Sequence, residues 1–361
     1  LQATGTISAR GLQGSTGATG TTLAVNAGGS VSVSGQVERI STLSLDKAVG
    51  ATFDAVVGST GTVGLSVGGS VTGTVLFNGA SNRFTSADFL GGTYSLTFTR
   101  AAAFDSAINL LNTGLATFNG ITVTGAFTSS SAPLRLQGDL TATGTITTLK
   151  SVTIAANVTV NSTNADISLE GATNAAGGSE TLTLGAKGQV AIKGLVGNTI
   201  APALLGFGAT GSIQLDAILR AGSVATSQAS AGVIEATAAI YAPAGVSLAG
   251  ATVKVTGIDT SAATNADGGA ISLAGSTITL TGNLTAKGAA SGVGANHKGG
   301  AITLTGNVVL DGSLFTLRND PVTGGISNYV NNPITIQGKL DGQSASGQTL
   351  VLEGEGTPIT I

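Results

Sequence analysis

The sequence predicts an all-β protein wound as a parallel β-helix, a solenoid of roughly 24 residues per coil. Three observations predict it. Short apolar–x–apolar steps recur along the chain, closed by Gly, Asn, Asp or Ser, and helical periodicity is nearly absent. Segments of the chain repeat at a spacing of a few tens of residues. Aromatics are only 4% of the 361 residues, which argues against the rival all-β reading, a string of aromatic-cored sandwich domains with longer strands.

The steps run in order along the chain. Leu23/Val25, Val31/Val33 and Leu43/Leu45 come first. Val152/Ile154, Val158/Val160 and Ile167/Leu169 follow, then Leu182/Leu184 and Val190/Ile192. Alternation of period two puts each pair on one strand face, with Thr, Ser and Ala on the other. Asn157, Asn161, Asn164, Asn283 and Asn307 are expected at corners, because Asn tolerates the left-handed region. Gly, at 56 positions, serves the same end.

The portion 53–127 differs, since it holds eight of the ten Phe. Inward positions of stacked coils align, so a Phe cluster reads as stacked aromatics inside the coils. Within it, AAAFDSAINLLN at 101–112 has Phe104, Ile108 and Leu111 at near-helical spacing, with Thr99 placed as an N-cap. That spacing predicts one short helix decorating the solenoid. The alternative is that INLLNTGLATFNG at 108–120 is two more strands around a turn, and both readings stand at this point.

The repeat is clearest over 245–313. SLAGATVKVTG at 247–257 matches SLAGSTITLTG at 272–282, an offset of 25, with seven of eleven positions identical. GGAISL at 268–273 recurs as GGAITL at 299–304, an offset of 31. The loop AASGVGANHK at 289–298 takes up the extra length, and NVVLDG at 307–312 repeats the second strand and its turn. A lone unit of this size cannot bury its apolar pairs, whereas stacked units can. The whole of 1–361 therefore reads as one continuous solenoid. Its opening LQATGTIS and closing GTPITI read as strand, as expected of a piece of a longer polypeptide.

Composition limits the function. With no Cys there is no disulfide framework, zinc ribbon or thiol catalysis. A single histidine, His297, excludes His-pair metal sites. Net charge −3 with only 9% charged residues gives no basic face for nucleic acid. No apolar run approaches the ~20 residues of a membrane-spanning helix, so no membrane insertion of this segment is expected.

The runs ISLAGSTITLTGNLTAKG (271–288), GGAITLTGNVVLDGS (299–313), NADISLEGATNAAGG (164–178) and ITIQGKLDGQSASGQTLVLEGEGTPITI (334–361) carry a resemblance. In composition and rhythm the chain resembles the shafts of filamentous-haemagglutinin-like and giant repeat adhesins of bacteria. That resemblance implies a right-handed coil, export to the cell surface, and a role in attachment or surface architecture. The amino-terminal secretion motif of two-partner-secreted adhesins is not recognisable here.

No catalytic, cofactor-binding or metal-binding residue is assigned from sequence. His297, beside Lys298, has no acid near it in sequence and reads as a solvated loop residue. Glu353 and Glu355 would share a strand face if that strand continued, but their Gly neighbours favour a turn. Asp259 and Asp267 flank a loop, without the nonapeptide of calcium-binding repeats. Tyr94, Tyr241 and Tyr329 are the obvious aromatics for a sugar platform, and buried packing explains each equally well. Thr-rich strands would line up outward hydroxyls, a flat surface that Thr's preference for exposed strands also explains. The sequons at Asn157, Asn161 and Asn283 arise readily by chance in so Asn/Thr-rich a chain. The expectation is a non-enzymatic, extracellular shaft segment, with neighbouring coils or subunits and cell-surface or host glycans as partners. A self-assembling sheath, surface layer or matrix filament is the alternative, and a carbohydrate-binding or polysaccharide-cleaving β-helix is third.

Overall fold

The computed structural model describes residues 1–14, 21–59, 63–289, 297–320, 332–343, 347–354 and 358–361, with the side chains of 209 and 210 left aside. The chain is all-β, its parallel strands stacked as a β-solenoid of about 15 turns with roughly 22 residues per turn, slightly tighter than expected. Two compact units divide it, Leu1–Ala176 and Gly177–Ile361.

In the first unit each coil between Thr74 and Ala175 contributes three short strands to three faces, while the earlier coils carry longer strands such as Gly64–Val71. Ser95–Phe98, Ala102–Phe104 and Ile108–Leu110 form one such coil, followed by Ala116–Phe118, Ile121–Val123 and Phe127–Ser129. Each strand pairs in parallel with its counterpart one coil on, as Leu96 does with Ala116 and Ile108 with Phe127. All the apolar steps named from sequence are buried except Leu23, which is half-buried.

The stretch 101–112 is strand, turn and strand, with no helix. Phe104 closes Ala102–Phe104 and Ile108 opens Ile108–Leu110, so a spacing of four arises across a corner. Leu111 points outward, 39% exposed. Thr99 is no N-cap: its hydroxyl reaches back one coil to the Phe77 carbonyl at 3.3 Å.

The Phe cluster forms columns. Phe53, Phe77, Phe98 and Phe118 occupy one register position in four successive coils. Their centroids are 5.0, 4.6 and 5.5 Å apart and their planes within 10° of parallel. Phe84 and Phe104 make a second stack at 5.3 Å, crossed edge-on by the first. Such pairs add about 0.5–1.5 kcal/mol each beyond their burial.

In the second unit the strands are longer because two faces share one strand bent at a corner. Ile271–Leu280 turns its Ile271 and Leu273 into the core, bends at Ala274–Ser276, and turns in Ile278 and Leu280. The sequence repeats are this register. Ser247 pairs with Ser272 and Val253 with Ile278, while Ile271 pairs with Ile302. Coil lengths vary widely: Ala116 pairs with Leu134 and Leu314 with Thr349. The loop 289–298 adds to one coil, and most of it, 290–296, lies outside the described residues.

Corners are held by side chains as well as by glycine. Asn283 and Asn307 accept the next coil's amides from Thr316 at 2.9 Å and Lys339 at 3.3 Å. Asn161, expected at a corner, lies instead within the strand Val158–Ser162, opposite Thr141. Asn82, Asn112 and Asn319 are the buried corner asparagines. Asn112, for example, donates to the Tyr94 and Gly114 carbonyls at 3.1 and 2.9 Å.

Two substitutions test this packing. Phe98→Ala should lower the free energy of unfolding in denaturant by about 3–5 kcal/mol, since the ring touches stacks on both sides. Gly306 has φ of +134°, and a Cβ there would strike the Gly275 carbonyl one coil away. Gly306→Ala should therefore cost at least ~1–3 kcal/mol in the same assay. Gly257→Ala, with only a 3.6 Å contact to Asn283 O, should stay within about 0.5 kcal/mol of wild type.

Candidate functional site

Parallel stacking brings together outward residues about one coil apart in sequence. In the second unit one outward column reads Arg220, Tyr241, Asp259, Thr285, Arg318 and Glu353, each in register with the next. The column follows from local patterning. Leu219, Ile240, Ile258, Leu284 and Leu317 are buried, and alternation turns the following residue outward.

At the start of this column lies a surface hollow of about 340 Å³, within the size range of small-molecule sites. Tyr241 and Arg220 line it together with Pro202, Ala203, Gly222 and Pro243. Tyr241 is 39% exposed, and the Arg220 guanidinium carbon stands 5.1 Å from its ring centroid, a cation–π contact. Arg220 is the single charged side chain in the lining, and no ion pair joins it to a carboxylate among the described residues. Asp259, one coil on, has Oδ1 engaged by the Ser261 amide at 2.9 Å.

Farther along the column the charges neutralise each other. Arg318 Nε is 3.2 Å from Glu353 Oε2 and also binds Asp320. Glu353 thus ends the strand Thr349–Glu353 as an ion-pair partner, and Glu355 lies outside the described residues.

His297 is not merely solvated. Its Nδ1 is 3.3 Å from Asp267 Oδ1 and its Nε2 is 2.9 Å from Asn265 Oδ1. Asp267 Oδ1 also accepts the Lys298 amide at 2.9 Å. The acid absent from the local sequence arrives by stacking: Asp267 lies 30 residues before His297 and one repeat offset of 31 before Lys298. The Asp267 side chain is 60% exposed, so the pair contributes little energy. It fastens the end of the 289–298 loop to the coil before it. Among the described residues no group of three or more His, Asp or Glu is placed to hold a metal ion.

Of the other tyrosines, Tyr94 is fully buried and no platform, with its hydroxyl donating to the Leu90 carbonyl at 3.1 Å. Tyr329 lies outside the described residues. Hydroxyls do line up: Ser247, Ser272, Thr303, Thr335 and Thr360 follow one another in register, as do Thr128, Thr147 and Ser168 in the first unit. Sequence reasoning singled out Tyr241 but not Arg220, because nothing local joins residues one coil apart. The coil spacing was the available signal.

Comparison with protein-family models, with curated proteins and with solved structures finds no match to this chain.

Burial pushes the Tyr94 phenol well above the ordinary value of 10.0 by penalising its charged form. The folded state therefore holds that proton more tightly than the unfolded state. The stability this contributes is intact below pH 10 and lost as pH rises beyond it. Denaturation curves measured across that range should steepen in pH dependence by up to about 1.4 kcal/mol per pH unit relative to Tyr94→Phe.

Proposed function

We infer that the chain is a non-enzymatic structural and adhesive segment of a large bacterial cell-surface protein, exported to the cell exterior. The observation that supports this reading is the in-register stacking itself. Within each unit the described strands are bonded to counterparts in an adjacent coil, so load along the coil axis is shared by many main-chain hydrogen bonds at once. The outward columns are mostly Ser, Thr, Ala and Gly, which leaves a smooth, weakly charged surface on which sparse larger groups stand out. In the resemblance to adhesin shafts, such a segment holds a binding region away from the cell. The exposed Tyr241 beside Arg220 supports a direct part in attachment.

Antibodies against the folded chain should label intact, unpermeabilised cells of its source. Labelling only after permeabilisation would sink the reading. Sedimentation of the purified chain should give one species over a wide concentration range, while assemblies growing with concentration would favour the scaffold alternative.

A further inference from the structure

The geometry points to the Arg220–Tyr241 hollow as a binding site for an acidic sugar, a pyranose bearing a carboxylate, within a polysaccharide. The inference rests on the adhesive reading above and gives it a ligand class.

Four features carry it. Arg220 is the one charged side chain in the lining, and the nearby Glu180 carboxylate at its edge is already engaged by the Gly177 and Gly178 amides at 2.7–3.1 Å. Its planar guanidinium offers paired N–H donors that match a carboxylate two to two. The cation–π contact with Tyr241 restrains the guanidinium, so less freedom is lost on binding. The exposed ring gives apolar surface for the C–H groups of a pyranose, and its phenol one hydrogen-bonding group for a hydroxyl.

Shape and rigidity agree. A hollow of about 340 Å³ accommodates a sugar residue and stays open to solvent, as an internal residue of a long polymer requires. Pro202 and Pro243 have fixed φ, and the Ala203 and Gly222 positions are small enough to keep the floor clear. One coil beyond Tyr241, Asp259 presents a carboxylate that accepts hydroxyls. The column thus reads as anion donor, ring and hydroxyl acceptor, at the ~4.8 Å spacing of adjacent strands.

The test is calorimetric titration of the full chain with a galacturonate trimer, a neutral galactose trimer and inorganic sulfate, at low and high salt. We expect the galacturonate trimer to bind with a Kd on the order of 1 mM or tighter, weakening as salt rises. Arg220→Gln should weaken it roughly tenfold to a hundredfold. Arg220→Lys should lie between, and Tyr241→Ala should weaken it about tenfold while melting like wild type. Failure of the acidic trimer to bind at 10-fold higher concentration than about 1 mM overturns the proposal. Equal binding of the neutral trimer, or indifference to both Arg220 variants, does so too. Sulfate binding as tightly as galacturonate, with Tyr241→Ala silent, would mean a simple anion site and also overturn it. Surface labelling of cells is a separate readout, so loss of the sugar site and loss of the shaft reading are distinguishable.

Discussion

Every feature of this chain depends on one constraint, the in-register parallel pairing of each coil with the next. Pairing of this kind places each inward residue on its counterpart one coil away, so the core is a set of columns rather than a mixture. Along one column the residues run Phe53, Phe77, Phe98, Phe118, Leu136, Ile154 and Ala175. A second runs Phe84, Phe104, Val123, Ala142 and Ser162. From Phe53 and from Phe84 onward both pass from aromatic to small, and before Phe53 the first column holds Ala9 and Val33. Neighbouring columns must fill one cross-section at native density, so their sizes are coupled. At the narrow end of the second column a hydroxyl enters the interior, where Ser162 bonds to the Gly144 carbonyl.

Much of this was legible in the sequence because pairing writes itself into spacing. The matched segments at 247–257 and 272–282 are paired strands, Ser247 on Ser272, and the second offset equally names Ile271 on Ile302. The Phe-rich portion was legible as stacked rings for the same reason. The helix expected over 101–112 shows where local pattern misleads. A corner of a few residues between two three-residue strands sets Phe104 and Ile108 four apart, which is also the step of a helical face. Coil lengths were legible only where the repeats are close, since elsewhere Ala, Thr and Ser substitute for one another without changing the fold. Buried corner asparagines escaped notice because Asn82 and Asn112 satisfy main-chain groups that no local pattern marks.

The sites were less legible, and the reason is geometric. A solenoid assembles its surface at right angles to the chain, so partners lie one coil apart. Asp267 and Lys298 are linked across coils, and Arg220 and Tyr241 are linked in the same way. Searching for charge clusters in sequence misses such pairs. Searching at the coil spacing would find them, and the offset of 31 between GGAISL and GGAITL already links Asp267 to Lys298, the neighbour of His297.

The core and the exposed surface are therefore written on opposite sides of the same strands. Leu219 and Ile240 are fully buried and answer to the column above and below them. Arg220 and Tyr241, the very next residues, are exposed and in contact with each other. Changes on the outward side leave the ladder intact, because its hydrogen bonds belong to the main chain. Longer coils are tolerated on the same terms, as Ile302 pairs with Ile334 despite the added length between them. A chain of few charges can then place a single guanidinium where it stands alone among small neighbours. On such a surface one unneutralised cation over one exposed ring is a distinct feature, whereas Arg318, held between Asp320 and Glu353, is not.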